Sequence, residues 1–371
     1  MADVAEERRI GDTDPRITRL QRKRWLIAAV IVLVVGAPSI FYFSGAYDRW
    51  QDSRSLADIC RGSVDTSEVK ELLGIDRLRG REVEVGQGAN PHAGQLDKCS
   101  LSDPDRSAWL SVAMDWGADA SGALHDFGEF APWGDVGMAI PLGHGWEGVM
   151  DEGGLGKDLV ATINLPCVNH RNDTKRSSLV VTVQGMAMRS MEGTAQRTRF
   201  ARTATKTAQN AAKAWGCTAR VGGAVERVPD NTAHTKVPEG EARGTCAGIA
   251  TAVRESAADS KAPIENCYLL SDSFTSQYRV SAFYAPFATA LAEQPGYGGE
   301  FDPQKPAGHK GTTIWASAQC SSGSRALYIA TATLNKDRPS EQPDVKLGKV
   351  ALKEFAARSA KRHGCTDLKL P

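Results

Sequence analysis

The chain has 371 residues, a formal net charge of +1 and 24% charged residues. That balance excludes nucleic acid or a strongly acidic macromolecule as a partner held by bulk charge. The length exceeds a single domain of roughly 100 to 200 residues, so two domains are expected.

Residues 1–24 read as a short basic tail, with Arg16, Arg19, Arg22, Lys23 and Arg24 unopposed by acids close to its end. From Trp25 to Phe43 the chain carries no charge, and that length matches the roughly 20 apolar residues that cross a hydrocarbon core. A transmembrane helix is therefore expected over residues 25–46. A buried core helix would keep some polar residues on one face, and this stretch has none. By the positive-inside rule the N-terminus is expected in the cytoplasm and the C-terminal region outside, giving a single-pass protein of the cell membrane. A cleaved secretory signal is the competing reading, because Ser44-Gly45-Ala46 offers small residues. Its apolar region, however, exceeds the roughly 7 to 15 residues usual for such a signal.

The eight cysteines divide into two sets of four, and each set ends in the same tripeptide, Gly216-Cys217-Thr218 and Gly364-Cys365-Thr366. Flanking residues extend the echo. Cys60 answers Cys246, and Cys99-Ser-Leu-Ser-Asp103 answers Cys267-Tyr-Leu-Leu-Ser-Asp272. Strand-like alternation follows at Trp109–Met114 and Tyr278–Phe283, then at Ala161–Cys167 and Thr313–Cys320, then at Ser178–Val183 and Ala326–Thr331. Asp65-Thr66-Ser67-Glu68 reads as the capped start of a short helix that stops at Gly74. Each copy closes with a basic, alanine-rich helix. Phe200, Ala204, Ala208, Ala211 and Trp215 fall on one face of the first; Val350, Ala351, Phe355 and Ala356 belong to the second. Gly216 and Gly364 stand where a helix needs a left-handed residue to stop.

The fold class expected is α+β: a membrane helix, then two repeated disulfide-stapled modules, residues 55–218 and 244–371, each an antiparallel sheet packed with terminal helices. Residues 219–243, rich in Gly, Pro, Asn and charge, read as a linker. Outside a membrane, paired cysteines read as disulfides. Four cysteines per copy allow three pairings each; sequential pairing is favoured because it ties both ends of a module to its sheet. That expectation joins Cys60 to Cys99, Cys167 to Cys217, Cys246 to Cys267 and Cys320 to Cys365. Metal or redox use is disfavoured: Cys167-x-x-His170 and His363-Gly-Cys365 do not recur in the partner copy. Neither a metal nor any other cofactor is expected.

Motif matches fail on context. Gly143-His-Gly-Trp-Glu-Gly148 fits the dinucleotide fingerprint by letter, without a clear helix after it. Asp126-Phe-Gly128 lacks the other kinase elements, and Ser67-Glu-Val-Lys70 lacks the companions of penicillin-recognising enzymes. No catalytic residue is assigned. The Gly117–Lys157 region reads as a long loop dense in glycine and aromatics, and long loops carry function more often than strands. Its His125, Asp126, Trp133, His144, Trp146 and Glu147 form the candidate ligand-binding set, against the alternative of a flexible loop with aromatics tucked into the core.

With its basic tail and anchor, the Leu165-Pro-Cys167 strand end and the two Gly-Cys-Thr helix ends, the chain resembles single-pass membrane proteins of streptomycete-type actinobacteria with duplicated four-cysteine extracytoplasmic modules. The resemblance implies a binding or cell-envelope protein without its own catalysis, partnered by the membrane through one helix and by an envelope protein or wall polymer. A cell-envelope hydrolase with its site in the 117–157 loop is the alternative.

Overall fold

The structure, a computed structural model, describes residues 23–27, 45–83, 95–126, 137–152, 158–187, 191, 193–230, 232, 234–271, 276–293, 301–333 and 343–371. The chain divides into two units, residues 1–54 and 55–371. In the first, residues 23–27 are helical and helix α1, Ala46–Ser55, begins. Tyr47 and Trp50 sit with ring centroids 6.0 Å apart, and the Arg54 guanidinium lies 4.8 Å over Trp50.

The expected membrane helix requires correction. Among the described residues no helix is long and apolar enough to cross a membrane; residues 28–44 of the expected span lie outside the described residues. The longest described helix, Thr194–Ala214, carries Arg197, Arg199, Arg202, Lys206 and Lys213, more charge than a spanning helix accepts. The single-pass placement in the cell membrane, with its cytoplasmic N-terminus, falls with that helix.

The α+β expectation holds for the second unit, which contains two antiparallel sheets. The first builds from helix α2 (Thr66–Leu73), strands β1 (Arg79–Val83), β2 (Gln95–Ser102) and β3 (Trp109–Trp116), helix α3 (Ser121–Asp126), strands β4 (Ile140–Pro141), β5 (Gly148–Glu152), β6 (Leu159–Pro166) and β7 (Ser178–Met186), and helix α4 (Thr194–Ala214). The second uses β8 (Val253–Glu255), β9 (Ile264–Leu270), β10 (Ser276–Phe283), helix α5 (Phe287–Glu293), β11 (Gly308–Lys310), β12 (Thr313–Cys320), β13 (Arg325–Ala332), helix α6 (Val345–Arg362) and β14 (Cys365–Lys369). The sheet orders are β1-β2-β3-β7-β6-β5-β4 and β11-β12-β13-β10-β9-β8, with β14 added to β12. Read in the same direction, β1-β2-β3-β7-β6-β5 and β8-β9-β10-β13-β12-β11 follow one plan.

Local chemistry explains several boundaries. Asp65 caps α2 by accepting from the Ser67 and Glu68 amides, and Gly74 ends it at φ 71°. Gly216 and Gly364 take φ 66° and 65° after α4 and α6, as their spacing predicts. Two local expectations differ. The 117–157 region is no open loop, because it contributes α3, β4 and β5; its apolar run Ala139-Ile-Pro-Leu142 pairs with or packs beside β5. The second module has turns where the first has α2.

All four disulfides follow the sequential pairing. Cys60–Cys99 and Cys246–Cys267 tie a segment outside the sheet to β2 and β9, Cys167–Cys217 ties the residue after β6 to the segment after α4, and Cys320–Cys365 joins the paired strands β12 and β14. Each restricts the unfolded chain by about 2 to 4 kcal/mol.

Three cores lie in layers. Phe200, Ala204 and Ala208 of α4 pack with Leu110, Val112, Ile163 and Val181 on one face of the first sheet. Leu352, Phe355 and Ala356 of α6 do the same with Val280, Ile314 and Tyr328. Gly348 lets α6 approach the sheet, since a Cβ there would stand 2.8 Å from the Tyr278 ring. The third core joins the opposite faces of the two sheets: Leu124, Val149, Val160 and Val180 meet Ile264, Phe283, Phe287, Leu291, Trp315 and Ile329. Hydrogen bonds cross this layer from the Ala139 amide to Asn266 Oδ1 at 2.9 Å and from Tyr268 Oη to the Gly137 carbonyl at 2.8 Å. Strands β6 and β9 are consequently buried on both faces.

Phe287 is completely buried in this shared layer. Phe287→Ala is expected to cost about 3 to 5 kcal/mol, read as a lowered urea midpoint. A change below about 1 kcal/mol would show that the two sheets do not stabilise each other.

Candidate functional site

The six residues singled out in the 117–157 region do not converge. His125 is exposed on α3, whose Leu124 faces the layer between the sheets. Asp126 closes α3, and Trp133 lies outside the described residues. His144, Trp146 and Glu147 come together on the turn between β4 and β5, where each makes an internal bond. Trp146 is buried to 2% exposure and its indole N–H donates to the Gly223 carbonyl at 2.8 Å. His144 Nε2 lies 3.0 Å from the Arg227 carbonyl, and the His144 carbonyl accepts from the Gly223 amide. Glu147 accepts from Asn164 Nδ2 at 2.9 Å.

These bonds fasten the segment expected as a linker. Residues 219–230 run back over the first module as a strap. Val225 and Val228 are buried, and Gly222 rests on the Trp146 ring, where a Cβ would clash at 2.4 Å. From α4, Arg202 Nε donates to the Val225 carbonyl at 2.6 Å and Arg197 donates to the Pro229 carbonyl at 3.1 Å.

A buried polar cluster lies instead in the second module, on the helix side of its sheet. Glu265 on β9 is 1% exposed. Its Oε2 accepts from Ser359 Oγ at 2.5 Å and from Arg362 at 3.0 Å; its Oε1 accepts from Arg362 Nε at 3.0 Å and faces His363 Nε2 at 3.3 Å. Tyr284 Oη reaches Ser359 Oγ at 2.6 Å, and its ring stacks on His363 at 3.7 Å. Burial raises the Glu265 carboxyl, but hydrogen bonds from His363 and Arg362, with their charge, outweigh it and hold it below the ordinary carboxylate range. Burial pushes the Tyr284 phenol far above its usual range and that of Tyr328 up to about 12.

This geometry does not make a nucleophile relay. Ser359 bonds to the carboxylate and to Tyr284 rather than to His363, and it is fully buried. A general base needs a free lone pair facing substrate, whereas both oxygens of Glu265 are occupied by donors from α6 and its cap. The cluster therefore locks the end of α6 to β9. Among the described residues no group of three His, Cys, Asp or Glu side chains could hold a metal ion.

Sequence reasoning missed this cluster. Its signal was present: Ser359, Arg362 and His363 lie at helical spacing just before the stop glycine, and Glu265 is a lone acid in an apolar strand. At the matching places the first module has Ala211, Ala214, Trp215 and Asp97, with Arg61 3.8 Å from Asp97.

No family model matches the chain, and no curated protein or solved structure matches it. The resemblance to actinobacterial membrane proteins accordingly stays an expectation.

Glu265→Gln leaves the half-buried Arg362 without its counter-charge, and the expected loss is about 1 to 3 kcal/mol at neutral pH. The folded pKa of Glu265 lies below its unfolded value, so its contribution is present above about pH 4.5 and fades as the pH falls further. Urea midpoints at pH 7 and pH 3 should therefore converge between wild type and variant as the pH is lowered.

Proposed function

We propose that this chain is a non-catalytic binding protein of an oxidising compartment outside the cytoplasm, built from one duplicated α+β module and partnered by an envelope protein or polymer. Four disulfides support the compartment, because cytosolic thiols are kept reduced.

Duplication is supported by details finer than strand order. Glu82 stands opposite Cys99 in the β1–β2 register and accepts from the Cys60 amide at 2.8 Å; Glu255 stands opposite Cys267 and accepts from the Cys246 amide at 3.0 Å. Core volumes also trade places. The first module has a large residue on the helix, Phe200, over Leu110; the second has Gly348 on the helix over the large strand residue Tyr278.

The observation that carries the binding role is the commitment of chemically capable groups to internal bonds. Glu265, Ser359 and His363 fasten a helix, and His144, Trp146 and Glu147 brace the turn and strap. Such use suits a rigid display scaffold.

Two measurements test the reading. The purified chain should show no thiol reactive with Ellman's reagent before reduction; eight reactive thiols in correctly folded material would oppose the compartment assignment. Incubated with ester, peptide and polysaccharide substrates, it should give background turnover. Turnover abolished by Glu147→Ala would establish the hydrolase alternative instead.

A further inference from the structure

The two modules differ most at the end of the long helix, and the difference points outward in the first. Where the second module stacks Tyr284 on His363 above Glu265, the first has Trp116 and Trp215. Both indoles are partly buried at the rim of the first core. The Trp215 indole N–H lies 3.3 Å from the Met114 sulfur, and Met114 and Trp116 share one face of β3. An arginine covers each ring. The Arg61 guanidinium is 4.3 Å from the Trp215 centroid, and that of Arg176 is 5.9 Å from Trp116. These arginine side chains remain 61% and 58% exposed.

The loop that supplies Arg176 is peculiar to the first module. Residues 167–177 connect β6 to β7, where only Ser321–Ser324 connect β12 to β13. The loop carries Arg171, Lys175 and Arg176 against one acid, Asp173, whose carboxylate already accepts from the Lys175 and Arg176 amides. It is held in place. Asn169 donates to the Gly216 carbonyl and accepts from the Thr218 amide, both at 2.8 Å, and the Val168 amide donates to the Thr218 carbonyl at 2.9 Å. The His170 ring stands edge-on to Trp116 at 6.2 Å. An exposed cationic loop fixed this way costs little ordering entropy on binding.

We propose that this tryptophan–arginine rim is the docking surface for an acidic polysaccharide, a polymer of sugar rings bearing carboxylates. Each guanidinium also faces an aspartate at the edge of ion-pair distance, Arg61 Nε at 3.8 Å from Asp97 and Arg176 Nε at 4.0 Å from Asp173, and being more than half exposed each keeps further N–H donors for a ligand carboxylate. Arg61 and Arg176 over the indoles, with Arg171 and Lys175 beside them, match a ligand with repeated carboxylates, and the partly exposed indole flanks supply apolar surface for its rings.

The inference rests on the binding role proposed above and names its ligand. The test is titration of the full chain with an oligogalacturonate, with neutral dextran and with a single-stranded oligonucleotide of matched charge. The oligogalacturonate should bind, weakening with salt; the dextran and the oligonucleotide should bind at least about tenfold more weakly. The triple variant Arg171→Ala, Lys175→Ala, Arg176→Ala should lose about tenfold or more in affinity while keeping its circular dichroism, and Lys353→Ala, on the solvent face of α6, should lose none. Absence of oligogalacturonate binding, binding indifferent to the triple variant, or equal oligonucleotide binding overturns the proposal and leaves the broader binding role standing. Cleavage of the oligogalacturonate would overturn the non-catalytic reading instead.

Discussion

Everything in the second unit depends on the two sheets covering each other's open faces. An antiparallel sheet with one helix over it leaves the opposite face to water, and here that face carries Val160 and Val180 in one sheet and Phe283, Trp315, Leu327 and Ile329 in the other. Burial of those side chains at roughly 25 cal/mol per Å² of apolar surface is a strong drive for association. The layer is nevertheless mixed. Thr162 and Thr182 pair within it, Asn266 donates to Ser281 and accepts from Ala139, and Tyr268 reaches Gly137. Polar pairs of this kind restrict the sheets to registers that satisfy them, because an unpaired buried amide is costly.

Local signals in the sequence carried much of the architecture. The Gly-Cys-Thr ends marked where α4 and α6 stop, the Asp65 cap marked the start of α2, and cysteine order supplied the disulfide pairing. These features depend on neighbours along the chain or on which ends a sheet must hold. The membrane helix was an expectation that failed; it had rested on an uncharged apolar run of spanning length behind a basic flank. The hidden face of each sheet was illegible for a different reason. Half-buried and fully buried strands differ only in what packs on the second face, and a continuous run such as Leu179-Val-Val181 is compatible with both. Strands β4 and β5 were read as loop because glycines and aromatics crowd the segment; those residues serve the strap and its Trp146 contact.

The candidate site shows the same division. Residue type suggested a pocket at His144, Trp146 and Glu147, but histidine, tryptophan and glutamate are also efficient fasteners for a chain that must cross a surface. Which role they take depends on the arrival of residues 219–230, many positions away. Glu265 is the converse case. A lone acid in an apolar strand was visible, but its partners lie nearly a hundred residues later on α6, beyond the reach of spacing arguments within one segment.

On the duplication proposed above, with α3 and α5 both entering the shared core, the two modules stand in one chain where a homodimer would hold two copies. In a true dimer every substitution appears twice and must suit both halves. Covalent linkage removes that constraint, so one helix end can close on a buried carboxylate while its twin keeps tryptophans at the rim. The shared core is kept while the two helix ends carry different chemistry.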